Sequence, residues 1–305
     1  MNKKILITGG TGSIGSRLIK KLVRRGDKVS LFTRDVKNAK KIVPEATEYL
    51  EWNYKYPEKW KFFLEHKDII IHLAGLNLSS KRWNQEFKKK AYNSRIISTR
   101  NLIEAVKSVD QKPEAFICSS AVGYYGDRGE EILTEDSAPA DDFLAMLCID
   151  WEKEATEVEK SGVKRISVRT GLVLSKNEGL LKKFYLPFKM FIGGPLGNGL
   201  QWFPWLHIDD IVGIYIHAID NENISGVLNA ASPGIVRMKE FAKQFGKILN
   251  RPSLFPIPEF MLKIVAGELG EHATDSQNIS VEKLLQSGYK FKFENLEKAL
   301  EDLLK

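Results

Sequence analysis

The stretch Thr8-Gly9-Gly10-Thr11-Gly12-Ser13-Ile14-Gly15 has the residue types and spacing to hold a diphosphate. Glycines let the main chain turn sharply and approach a ligand with no Cβ in the way. A helix beginning directly after them presents unpaired N–H groups and partial positive charge, which attract a pyrophosphate. The neighbouring residues supply that setting. Lys3-Lys4-Ile5-Leu6-Ile7 reads as a short apolar strand. Ile14, Leu18, Ile19, Leu22 and Val23 then recur at helical spacing, opposite Arg17, Lys20, Lys21 and Arg24. Strand, glycine turn and helix together make a dinucleotide fingerprint, with Gly9, Thr11, Gly12, Ser13, Ile14 and Gly15 as its expected ligand contacts.

The second strand, Lys28 to Arg34, bears on which dinucleotide. A carboxylate at its end would hold a ribose 2′-hydroxyl, whereas an arginine suits a 2′-phosphate. Arg34 stands there, so NADP(H) is the expected cofactor, and Asp35 beside it leaves NAD as the alternative.

Strand and helix patterns alternate through the first half, as a parallel sheet with crossover helices demands. A third strand is expected near Glu48–Trp52 and a helix from about Pro57 to Glu65. A fourth strand, Asp68–Gly75, would border the cofactor with Leu73, Ala74 and Gly75. A long helix covers roughly Gln85 to Ser108, followed by a fifth strand, Glu114–Ser120, that ends in hydroxyls. Ligands of such sheets lie at the carboxyl ends of strands, which places Ser119 and Ser120 well. A helix from about Phe143 to Ser161 and a sixth strand, Val163–Arg169, come next, and beyond them the alternation breaks down. Asp209 or Asp210 is expected to cap a helix running to about Ile219. The fold class is therefore α/β: a Rossmann doubly wound parallel sheet with a smaller C-terminal substrate-side domain. The expected division is 1–230, including a substrate-side loop at about 176–205, and 231–305.

Composition excludes several classes. The 305 residues are 43% hydrophobic and 28% charged, ordinary for a soluble protein. The net charge of +7 is spread as doublets without aromatic interleaving, so no nucleic-acid partner is expected. The excess still favours anionic small molecules. Two cysteines make no disulfide framework, and no Cys/His spacing resembles a metal site. No apolar run is long enough to cross a bilayer. The reading is cytoplasmic, a monomer or homodimer acting on a small-molecule substrate.

The combination of Thr-Gly-Gly-x-Gly-x-x-Gly, His72-Leu73-Ala74-Gly75, Ser119-Ser120 followed by Tyr124-Tyr125-Gly126, and Trp205-Leu206-His207-Ile208-Asp209-Asp210 resembles the extended short-chain dehydrogenases/reductases. Gly193-Gly194-Pro195-Leu196-Gly197-x-Gly199-x-Gln201 and the tail from Arg251-Pro252 through Gly288-Tyr289 narrow this. They are similar to the atypical, nucleotide-sugar-epimerase-like family with its own small C-terminal domain. The resemblance implies an NADP-binding Rossmann domain and a poorly defined substrate.

The departure from the family is as informative. Relatives with proven chemistry carry a Tyr-x-x-x-Lys pair on the helix after strand five. The Tyr exchanges a proton with the substrate, and the Lys lowers the Tyr pKa and holds the ribose. Here Leu144 and Cys148 occupy those positions when the helix is aligned by Glu152, and Cys148 and Glu152 in a shifted register; either way the pair is missing, and no Tyr occurs between Gly126 and Tyr185. Arg95 replaces an Asn commonly found on the preceding helix. Ser120, Tyr125, Cys148 and Arg95 are the expected catalytic residues, and Ser119 joins the cofactor contacts. Two readings follow: an NADP(H)-binding, epimerase-like oxidoreductase or isomerase acting on a polar, nucleotide- or sugar-like molecule, or a catalytically inactive NADP(H)-dependent sensor or scaffold.

Overall fold

Residues 2–176 and 178–305 are described by a computed structural model. Strands β1 (Lys4–Thr8), β2 (Lys28–Thr33), β3 (Glu48–Glu51), β4 (Ile69–His72), β5 (Ala115–Ala121), β6 (Lys164–Thr170) and β7 (Gly226–Ala230) form one parallel sheet in the order β7-β6-β5-β4-β1-β2-β3. Both faces are covered, which is why the central strands read as continuous apolar runs. Side chains alternate between the two layers. Ile5, Ile7, Ile69, Ile71 and Ile117 enter one buried cluster, and Leu6, Ile70 and Phe116 enter the other. The strand order reverses between β1 and β4, and a crevice opens at the carboxyl ends of such a pair.

Helices α1 (Ser13–Arg24), α2 (Val36–Ile42), α3 (Gln85–Ser108) and α4 (Phe143–Thr156) flank the sheet, followed by α5 (Gly179–Lys189), α6 (Ile208–Asp220) and α7 (Met238–Leu249). The carboxyl-terminal elements are α8 (Glu259–Ala266), α9 (Glu268–Glu271), α10 (Glu282–Gln286) and α11 (Leu296–Leu304). Asn278–Ile279 pairs with Ile132–Leu133, which stitches this region onto the loop after β5. Leu296, Ala299, Leu300 and Leu303 of α11 share the buried cluster that contains Ile5 and Ile7.

Four details differ from the sequence reading. Pro57–Glu65 is two 3-10 turns, Pro57–Lys59 and Lys61–Leu64. Trp60 sits between them with φ −138° and donates its indole N–H to the Asn53 carbonyl at 2.8 Å, which breaks the helical run. The helix expected to reach Ser161 turns 3-10 after Thr156 and closes on Gly162 at φ +74°. The cap of α6 is His207, whose imidazole accepts the Asp209 N–H at 3.0 Å, and not Asp209 or Asp210. The alternation also continues past β6, because Gly226–Ala230 adds β7 beside it. Helix α5 occupies part of the stretch 176–205, in which position 177 lies outside the described residues.

Candidate functional site

The glycine turn packs directly on the end of β4. Gly9 has φ +70°, and a Cβ there would lie 2.6 Å from the Leu73 carbonyl carbon. A Cβ at Gly15 would meet the Gly10 Cα at 2.6 Å, so this glycine lets α1 approach the turn. Gly12 differs. It has φ −80°, and its Cβ would meet only the Gly9 oxygen, at 3.4 Å. The absent side chain at Gly12 therefore leaves room above the start of α1. The first turn of that helix holds no acidic residue and no side-chain cap, and the N–H groups of Ser13 and Ile14 find no acceptor among the described residues. Open space over unpaired donors is the geometry a diphosphate fits.

A residue the sequence did not single out stands at this cradle. The Ser13 hydroxyl donates to the carboxylate of Glu178, which also receives Arg17 Nη1 at 3.4 Å. Burial opposes ionisation of Glu178, but the Ser13 hydroxyl and Arg17 outweigh it and hold the carboxyl below its ordinary value. Glu178 lies 165 positions from Ser13, and no local pattern marks the pairing.

At the end of β4, Leu73 N donates to the Thr8 carbonyl and Ala74 N to Thr8 Oγ1, each at 3.2 Å. His72 Nδ1 lies 2.7 Å from the same hydroxyl, and Ser98 Oγ lies 3.2 Å from Nε2. Burial, with a smaller effect of Arg95, pushes the His72 pKa down to about 3, so the imidazole is a neutral tie between β1 and β4. Arg34 projects exposed just beyond β2, whereas the Asp35 carboxylate caps α2 by accepting the Asn38 N–H at 2.9 Å.

Three of the four residues expected to do chemistry are buried in contacts with the rest of the protein. Ser120 Oγ donates to Glu152 Oε1 at 2.5 Å. Arg169 closes on the same carboxylate, Nε to Oε1 at 2.9 Å and Nη2 to Oε2 at 2.8 Å, and its Nη1 donates to the Tyr125 hydroxyl at 2.8 Å. Tyr125 is fully buried, with its hydroxyl 2.7 Å from Asn229 Oδ1 and 2.9 Å from the Thr134 carbonyl, and burial pushes its pKa up to about 12. This phenol is shut inside the protein rather than presented to a ligand. Tyr124 packs on the Arg169 guanidinium at 3.4 Å. Cys148 is buried, and its Sγ lies 3.7 Å from the Ala121 carbonyl. Burial, then the Glu152 charge, pushes its thiol up to about 12, so it stays protonated at neutral pH, where the thiolate is the nucleophile. Ser119 Oγ lies 2.9 Å from the Tyr215 hydroxyl on α6. Arg95 alone of the four is partly exposed.

The carboxyl-terminal region closes over the same side. Lys88 at the start of α3 pairs with Glu268 at 2.5 Å. The Trp83 ring lies 6.0 Å from His272 and 5.4 Å from Phe143, the first residue of α4. No group of His, Cys, Asp and Glu side chains among the described residues is arranged to hold a metal, and no helix among them is long and apolar enough to cross a membrane.

Comparison with known proteins agrees with this geometry. Residues 5–231 match the NAD dependent epimerase/dehydratase family, and residues 257–303 match a domain of unknown function, DUF1731. The chain is 33% identical over 98% of its length to a chloroplastic homolog of epimerase family protein SDR39U1 from Arabidopsis thaliana, covering 86% of that protein. It is 35% identical to epimerase family protein YfhF of Bacillus subtilis, covering 98% of this chain and 97% of that one. The crystal structure of human epimerase family protein SDR39U1 with NADPH superposes with a TM-score of 0.89 at 31% identity, covering 98% of both chains. A TM-score of 0.78 to a UDP-N-acetylglucosamine 4-epimerase from Bacillus cereus, at 20% identity, reflects the shared fold. With the strand order, the glycine cradle and the carboxyl-terminal extension all matched, the chain belongs to the NAD dependent epimerase/dehydratase family and is an extended short-chain dehydrogenase/reductase carrying a C-terminal DUF1731 domain.

Proposed function

We propose that the protein binds NADP(H) and acts as an epimerase-like oxidoreductase or isomerase on a polar small molecule, without the usual Tyr-x-x-x-Lys pair. The observation that carries this reading is the start of α1, where unpaired Ser13 and Ile14 N–H groups face the space left by Gly12. The choice of NADP(H) over NAD(H) is supported by Arg34 and Asp35. The guanidinium is exposed and has no partner among the described residues, while the carboxylate that could hold a 2′-hydroxyl is used to cap α2. The human relative determined with NADPH points the same way.

When bound, the nicotinamide would supply or accept a hydride. The protein's part is to cradle the diphosphate at Gly9–Gly15, to hold the 2′-phosphate with Arg34 and to border the dinucleotide with Leu73, Ala74 and Gly75. Ser119, anchored by Tyr215, supports the floor of the crevice. Ser120 and Tyr125 hold the Glu152–Arg169 pair in place, and Cys148 packs. A general acid typically contributes ~10²–10⁴-fold, so turnover survives its absence at a reduced rate.

Sealing of Tyr125 and Cys148 in the interior favours a second reading, a catalytically quiet NADP(H)-dependent sensor or scaffold. A screen of fractionated metabolites by NADPH absorbance separates the two. Consumption that disappears in Gly12→Val protein supports the enzyme, and silence with cofactor binding intact supports the sensor.

A further inference from the structure

Arg95 is a partly buried cation with no carboxylate partner among the described residues. Its guanidinium lies between Gly75 and Trp151. A Cβ at Gly75 would meet Cζ at 3.0 Å and Nε and Nη2 at 3.2 Å, and the Trp151 ring centroid is 5.2 Å from Cζ. Nη1 donates to the main-chain oxygens of Leu76 at 3.1 Å and Ala91 at 3.2 Å. These contacts fix the plane of the group and use one nitrogen. The Nε–Nη2 edge has no acceptor among the described residues, and the residue is partly exposed.

The surrounding charges do not balance it. Glu152 is engaged by Arg169 and Ser120, and Asp150 accepts the Tyr92 hydroxyl at 2.7 Å. Cys148, whose charge would act on Arg95, is kept neutral by burial. Arg169, which is buried, forms by contrast a two-point pair with a carboxylate. Partial burial weakens the hydration of a charge, and a planar guanidinium with one free edge matches two oxygens of a carboxylate or phosphate. Gly75 follows Leu73 and Ala74 on the segment that packs against the glycine turn, so the free edge lies in the crevice wall beyond the diphosphate cradle.

We propose that the Nε–Nη2 edge of Arg95 binds an oxyanion of the substrate, which makes the substrate a small organic acid or phosphate ester. The proposal rests on the dinucleotide reading for the identity of the crevice. It assigns Arg95 to substrate binding rather than to proton transfer.

The test is thermal stabilisation of the full chain, with and without NADPH, titrated separately with malonate and inorganic phosphate. Wild-type protein is expected to respond to at least one anion, and the two arms distinguish carboxylate from phosphate. Arg95→Met should weaken that anion by about ten- to hundredfold while leaving NADPH affinity within about threefold. Arg95→Lys, which keeps the charge but lacks the planar edge, should lose less and guards against a folding defect in the first variant. No anion response in wild type, or an equal response in Arg95→Met, overturns the proposal. Parallel loss of NADPH affinity overturns it too, since Arg95 would then serve the cofactor. Absence of any NADPH effect in wild type instead overturns the dinucleotide reading, and the anion titration still decides the role of Arg95.

Discussion

Glu152 on α4 and Arg169 on β6 meet as a two-point ion pair inside the protein, at 2.9 Å and 2.8 Å, with Ser120 on the same carboxylate. Breaking one side of a buried pair leaves an uncompensated charge. Arg169→Met should cost about 3–5 kcal/mol of folding stability. The double variant Glu152→Gln/Arg169→Met should recover most of that loss, which urea denaturation would measure. A small effect of the single variant would mean that the pair is solvated.

Gly12 and Gly15 should respond in opposite ways. A Cβ at Gly12 meets only the Gly9 oxygen, at 3.4 Å, and φ there is −80°, so Gly12→Val is compatible with the backbone. It should remain within about 1 kcal/mol of wild-type stability and lose NADPH binding in calorimetry. Gly15→Ala drives a methyl group into Gly10 and should destabilise the fold by about 1–3 kcal/mol.

Arg34→Ala should weaken NADPH about ten- to hundredfold, the loss of a charge-assisted contact, with NADH affinity nearly unchanged. Fluorescence titration with both nucleotides checks this, and equal losses would remove Arg34 from the 2′-phosphate.

Asp210 accepts the N–H groups of Lys292 at 2.6 Å and Phe293 at 3.0 Å, pinning the carboxyl-terminal region to α6. Asp210→Ala strands the buried Phe293 donor and the part-buried Lys292 donor and should cost about 2–4 kcal/mol. Hydrogen exchange should rise first around residues 289–293.

His272 Nδ1 donates to Asp275 Oδ2 at 2.9 Å, and that hydrogen bond, against the effect of burial, raises its pKa above the ordinary value. A raised pKa means that the folded state binds the proton more tightly than the unfolded chain does. The stabilisation is fully present below the unfolded value of about 6.5 and is lost as pH rises through the folded value. The stability difference between wild type and His272→Gln should therefore be largest near pH 5.5 and shrink towards pH 8.5. A difference independent of pH would show that His272 contributes by packing alone.

Local pattern determined the frame of this protein. The apolar run before Gly9, the glycine spacing and the helical periodicity from Ile14 to Val23 depend on residues within one βα unit, and the turn formed as that unit requires. The same holds for α3, whose limits match the Gln85–Ser108 periodicity. Family membership was legible because its motifs are contiguous. Tertiary structure decided what the polar residues do. Tyr125 reads as an available phenol until Arg169, 44 positions away, and Asn229, 104 positions away, close on its hydroxyl. Glu178 reaches Ser13 from the far side of the sheet sequence. His207 takes the cap of α6 because Asp210 is drawn to main-chain donors 82 and 83 positions further on. Helix and strand periods are short-range properties of the backbone, whereas desolvation and charge pairing are set by whichever distant side chains the fold brings alongside.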